Sequence, residues 1–208
     1  MRLVLRKTGG VVLNNYNGKF ANDFAVSNER LDLLIAHLNK TRGAGLTRVE
    51  GRKDEVARML DMKSGIDALL TGSLGCVSGV AVRIQDGKNW ETFTIRHSRS
   101  TGARTEYIKR KEAIANSRRV FYPHYTMQVY MIGANLMGGA YCLTESLFCA
   151  AYKYEPFESR DGGKPVYLNR NGSDFNTFIV VPFSEIAKEK ISVIQPVAGF
   201  SAKRGLGK

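Results

Sequence analysis

Cysteine and histidine are scarce in this chain, three of each in 208 residues. Cys76, Cys142 and Cys149 are odd in number and show no CxxC spacing, so the sequence supports neither a disulfide framework nor a zinc knuckle. His37, His97 and His124 have no signature around them that would make a His/Cys metal site. Thiols without a pairing pattern suit a reducing compartment. Long apolar runs are missing as well. No segment supplies the ~20 apolar residues of a membrane span, and the stretch MIGANLMGGA at 131–140 is too short. The opening MRLVLRKTGG has a charged start but no apolar run of signal-peptide length. These absences lead us to expect an intracellular protein, cytoplasmic or nucleoid-associated, with no membrane partner. Two common enzyme signatures are also lacking. Gly72-Ser73-Leu74-Gly75 does not have the GxxxxGK[ST] spacing of a nucleotide loop, and no GxSxG marks a serine nucleophile.

Acidic residues are the other shortage, 19 Asp+Glu against 31 Lys+Arg, a net charge of +12. With 43% hydrophobic and 24% charged residues the chain is expected to fold around a core. Its surface should then carry a positive potential that attracts polyanions. The basic residues cluster: ten lie between Arg83 and Arg119 against only Asp86, Glu91, Glu106 and Glu112, which accounts for half of the net charge. Nucleic acid is the expected partner, DNA favoured over RNA.

Turn residues and apolar spacing divide the chain into an N-terminal arm or hairpin (1–26), a single α/β domain (27–196) and a basic flexible tail (197–208). A capping Ser27 precedes Leu31, Leu34, Ile35 and Leu38 at helical spacing, and a second helix is read from Thr47 to about Leu60 with Val49, Val56, Met59 and Leu60 on one side. Two β-rich segments, 66–71 and 77–85, flank a glycine-rich turn and predict a hairpin. A third antiparallel strand follows at 91–97, then a basic helix in ARTEYIKRKEAIANSRR. A fourth strand is read in HYTMQVYMI, a helix beginning near Thr144, a loop over 155–173, a strand over 175–181 and a short helix over 184–190. The pattern predicts an α/β (α+β) fold, a central mixed β-sheet flanked by helices. Trp90 and Phe121 are expected in the core, while Tyr107, Tyr122 and Tyr125 are candidates to stack on bases.

Metal-dependent phosphodiester hydrolysis needs carboxylates converging on one divalent ion and a cation near the phosphate. Asp67 on one hairpin strand and Arg83 on the next would face the same side, because side chains alternate with a period of two. A helix, a hairpin with an Asp, a second strand, and then a helix and further strands resemble the PD-(D/E)XK nuclease superfamily over roughly residues 45–195. The resemblance implies a restriction-endonuclease-like fold. It implies catalytic roles for Glu55 (or Glu50), Asp67 and Arg83, with Asp67 and Glu55 as ligands of Mg²⁺ or Mn²⁺ if the protein is active. The motif is degenerate: Ala81 stands where the second carboxylate belongs and Arg83 where the lysine belongs. Arg is always charged and grips phosphate as a fork, and only a migrated ligand such as Glu55, Glu91 or Gln85 would restore the metal site. We therefore expect a nucleic-acid-binding protein on a nuclease-like fold. The alternatives are an active Mg²⁺-dependent endonuclease and a subunit of a replication, transcription or packaging assembly. Arg96, Arg99, Arg104, Lys109, Arg110, Lys111, Arg118 and Arg119 are the candidate phosphate contacts.

Overall fold

A computed structural model describes residues 26–41, 43, 45–49, 51–52, 54–72, 75–116, 121–170 and 176–197. Apart from Val26 and Val197, the expected arm and tail lie outside these residues, as do Glu50, Arg118 and Arg119. The described residues form two sheets. The larger has the order β1 (Gly45–Arg48), β2 (Ala68–Thr71), β3 (Val77–Asp86), β5 (Tyr125–Ile132), β6 (Asn135–Leu143) and β9 (Ile191–Ile194). The smaller has the order β4 (Thr92–Ser98), β8 (Thr177–Pro182) and β7 (Tyr167–Arg170). Four helices accompany them: α1 (26–41), α2 (Glu55–Met59), α3 (Glu106–Ala115) and α4 (Thr144–Tyr152). This is the mixed α/β architecture that the sequence predicts.

α1 forms as expected. Leu31, Leu34 and Leu38 are buried, and Leu34 and Leu38 pack on Val80, Met127, Val129 and Met131 of the large sheet. At the end of α1 Asn39 exchanges two hydrogen bonds with the backbone of Leu46, donating to its carbonyl at 2.9 Å and accepting from its N–H at 2.8 Å. The amide thereby acts as a strand partner for the edge strand β1. On the opposite face of the large sheet α4 buries Leu147, Phe148, Ala150 and Ala151 against Phe93, Ile95, Ile179 and Val181 of the small sheet and Ala140 and Cys142 of β6. β5 lies between β3 and β6 with both faces covered, so Thr126–Met131 is a continuous buried run instead of an alternating one.

Several expectations are corrected. Residues 45–48 are a strand, and Val49 continues its pairing by donating to the Asp67 carbonyl at 2.8 Å. The second helix therefore starts only at Glu55, where the Asp54 side chain caps the Ala57 N–H at 2.9 Å. Val56 and Met59 consequently face solvent, at 63% and 48% exposure. The strand at 92–98 is antiparallel but leaves the hairpin sheet to pair with β8. The apolar 131–140 stretch is the β5–β6 hairpin, and β6, β7 and β9 are strands where none was expected. Two 3₁₀ turns, Phe183–Glu185 and Lys188–Lys190, stand in place of the last helix. Trp90 and Phe121 are surface residues, 56% and 73% exposed, with the Lys88 ammonium 4.2 Å from the Trp90 ring centroid.

The pairing of β3 with β5 places the candidate site residues. β3 and β5 are parallel neighbours, with Ala81 opposite Thr126 and Arg83 opposite Gln128. Parallel neighbours need a long crossover, and here it comprises β4 and α3. Arg83 of the basic cluster is on β3 itself, and Lys88, Arg96, Arg99, Arg104, Lys109, Arg110 and Lys111 lie on that crossover. The crossover is folded back over the face of β3 and β5 that α1 leaves uncovered.

Candidate functional site

Side-chain alternation sends Ala81, Arg83 and Gln85 of β3, and Thr126, Gln128 and Tyr130 of β5, toward the small sheet. This face is mostly polar, so β4 docks on it through side-chain hydrogen bonds. The Gln128 carboxamide oxygen accepts from the Thr94 N–H at 3.2 Å and from its hydroxyl at 3.1 Å. The Tyr130 hydroxyl donates to the Thr92 carbonyl at 2.6 Å. Beyond Thr94 the two sheets part, and a cavity of about 510 Å³ opens between them.

Six cations line that cavity: Arg83 from β3, Arg96 from β4, Arg99 and Arg104 from the β4–α3 connection, and Lys109 and Arg110 from α3. Three acids accompany them, Asp61, Asp67 and Glu106. The wall bearing Asp61 is a π-helical turn, Leu60–Ser64, that extends α2 and ends at Gly65 with a left-handed φ of 66°. That conformation costs a glycine nothing, and it returns the chain to Asp67 at the mouth of β2.

Glu106 organises the cationic wall. Its carboxylate accepts from the Arg83 guanidinium at 2.8 Å and from Arg110, one helical turn on, at 2.8 Å. The Arg96 backbone N–H approaches the same carboxylate at 3.4 Å. Burial alone would raise the Glu106 carboxyl, but Arg110, Arg83, and the backbone and charge of Arg96 hold it below its ordinary value of 4.5. Arg110 also donates to the Thr126 hydroxyl at 3.1 Å, and Thr126 pairs with Thr144 at 2.9 Å, so its guanidinium is fixed from both sides. One anion thus orients two guanidiniums. Arg104 pairs with Glu112, and among the described residues Arg99 and Lys109 make no ion pair; both are exposed at the rim.

The cavity therefore brings together Asp67, Arg83, Arg96, Arg99, Arg104, Lys109 and Arg110 from the residues read in the sequence. Arg110 is buried in its ion pair and serves as floor, not as an exposed edge. Lys111 does not belong. It projects from another side of α3, where it pairs with Glu155 at 3.1 Å and lies over the Tyr107 and Tyr152 rings. Glu55 is exposed at the start of α2 and does not line the cavity. Tyr107 is buried, with a hydroxyl that donates to Glu155 at 3.2 Å, and is not available to stack on a base. Sequence reading missed Asp61, Thr94, Thr126 and the organising role of Glu106. For Glu106 the signal was present, an acid in the first turn of a helix with an arginine four residues later.

Among the described residues the carboxylates that the resemblance implies as ligands are not brought together. Asp67 turns one carboxylate oxygen to the Val82 N–H at 2.6 Å, Ala81 supplies no ligand, and Glu55 and Glu91 lie away from the cavity. Among the described residues no three His, Cys, Asp or Glu side chains converge to hold a metal ion. Of the three acids that line the cavity, Glu106 is committed to Arg83 and Arg110, and Asp67 accepts from the Val82 N–H.

The class that fold and site define is a mixed α/β protein with a cationic cleft between two sheets. No protein-family model, curated protein or solved structure matches the chain. No helix among the described residues is long and apolar enough to cross a membrane.

Proposed function

We propose that this chain is a nucleic-acid-binding protein and that the cleft between the sheets is its phosphate-contacting surface. One observation carries the proposal. Six cations separated by up to 27 positions in sequence line a single cavity, and Glu106 fixes Arg83 and Arg110 in place while Arg99 and Lys109 stand exposed at the rim. A bare patch of solvated lysines would need no such scaffold. Arg83, oriented by the half-buried Glu106 carboxylate with Arg110 behind it as floor, is pre-organised for phosphate oxygens, which guanidiniums grip in bidentate fashion. Contacts of this kind position a backbone and read little sequence. DNA is the first polymer to try, on the strength of the resemblance of residues 45–195 to the nuclease superfamily. An intracellular setting follows from such a partner.

The test is fluorescence anisotropy with labelled oligonucleotides in chelator, at salt from about 50 to about 200 mM. Neutralising three phosphates weakens binding roughly twenty- to forty-fold over that range. Binding that does not respond to salt refutes phosphate contact. Cleavage of the probe on addition of Mg²⁺, abolished by Asp67→Ala, would replace binding alone with an active endonuclease.

A further inference from the structure

A second cavity of about 370 Å³ continues the cleft and shares Arg83 and Thr94 with the first. Its chemistry is different. Where the first is lined by six cations, the second has Phe178 from β8, the carboxamides of Gln85 and Asn169, and fewer charges. Asn169 and Phe178 are cross-strand partners on β7 and β8, and Phe178 is directly opposite Arg96 of β4. Two guanidiniums flank the Phe178 ring, Arg83 at 5.3 Å and Arg96 at 5.6 Å from its centroid. Both guanidiniums lie over the ring, so the aromatic and cationic groups meet at the junction of the two cavities. Gln85 accepts from the Gln128 amide at 3.4 Å, which orients its own amide group.

An aromatic ring, guanidiniums and carboxamides at the end of a phosphate-binding cleft are groups that an unstacked base can use. Bases stack on aromatic rings and guanidinium planes, and Asn and Gln read their hydrogen-bonding edges. A base inside a duplex cannot enter a concave pocket without leaving its stack, whereas a single strand can splay one out at little cost. The two cavities meet at Arg83, which places the phosphate side and the base side of one nucleotide next to each other.

Building on nucleic-acid binding by the cleft, we infer that its ligand is single-stranded, with one phosphate among the cations of the first cavity and an unstacked base against Phe178 in the second.

The experiment compares a single strand with the duplex of the same sequence, each as DNA and as RNA, by anisotropy against the full chain and the variants Phe178→Leu and Asn169→Ala. The single strand is expected to bind at least about ten-fold tighter than the duplex. Phe178→Leu is expected to erase most of that preference by weakening single-strand binding about ten-fold and duplex binding clearly less. Asn169 is exposed at the surface of β7, so Asn169→Ala leaves the fold intact. It should change the rank order of binding among homopolymeric strands even if Phe178→Leu proves unstable. Equal or tighter binding of the duplex overturns the inference but leaves the cationic cleft as a nucleic-acid site, as does an equal loss on both forms in the variants together with an unchanged homopolymer order. Failure of every nucleic acid to bind overturns the cleft as a nucleic-acid site and this inference with it.

Discussion

The Glu106 carboxylate at the head of α3 accepts from the Arg83 guanidinium of β3 at 2.8 Å, tying the crossover helix to the central sheet across 23 positions of sequence. Its other oxygen holds Arg110 at 2.8 Å. Removing that charge leaves two guanidiniums close together and uncompensated. Glu106→Gln is expected to destabilise the fold by about 3 kcal/mol, near the low end for breaking a buried ion pair, because the side chain retains 21% exposure to the cleft. Urea denaturation measures this as a lower midpoint with an unchanged slope.

The same carboxylate gives the stability a pH dependence, and His97 adds a second one. Glu106 is held below its ordinary value of 4.5, so its stabilisation is fully present at neutral pH and is lost as pH falls through the folded value. His97 packs against Tyr107 at 5.4 Å and Phe157 at 5.8 Å, ring centroid to centroid. Burial lowers its imidazole below 6.5, and Glu155 offsets only part of that. Its contribution is therefore present above about 6.5 and is lost as pH falls below that value. Denaturation midpoints measured from neutral pH downward should fall in two steps, and His97→Phe should remove the upper one alone.

Thiol reactivity tests the core. Cys142 is buried among Phe148, Leu147 and Ile179, and burial pushes its thiol up to about 12, whereas Cys76 and Cys149 are exposed. The thiolate is the reactive form. Two thiols should react with Ellman's reagent in the native protein and the third only in denaturant. Three rapid reactions would contradict the placement of β6.

What the sequence made legible was local. The β2–β3 hairpin was readable because alternation and a glycine turn specify it within twenty residues, and α1 because Leu31, Leu34 and Leu38 recur on one face. β6 was hidden by the glycines that make it possible. A Cβ at Gly139 would come within 2.3 Å of the Gln128 carbonyl, so close approach of β5 and β6 selects the residue that least resembles a strand former. Phe93 and Ile95 revealed that residues 92–98 form a strand, but not that its partner is β8, some eighty positions away. The site divides in the same way. Asp67 and Arg83 share a face by strand periodicity, and the cleft contains both. The exclusion of Lys111 follows from the turn of α3, and the junction at Phe178 exists only once β8 is laid beside β4.

Lys109 and Lys111 are two residues apart on α3, yet only Lys109 faces the cleft. The most direct measurement is therefore the salt dependence of nucleic-acid affinity for the double variant Arg99→Ala/Lys109→Ala beside Lys111→Ala, all three side chains being exposed. Each lost phosphate contact lowers the slope of log affinity against log salt by about one. The cleft double variant should lose about two units of slope, and Lys111→Ala should match the unaltered protein. Equal losses in both, or no change in the double variant, would contradict phosphate binding in the cleft.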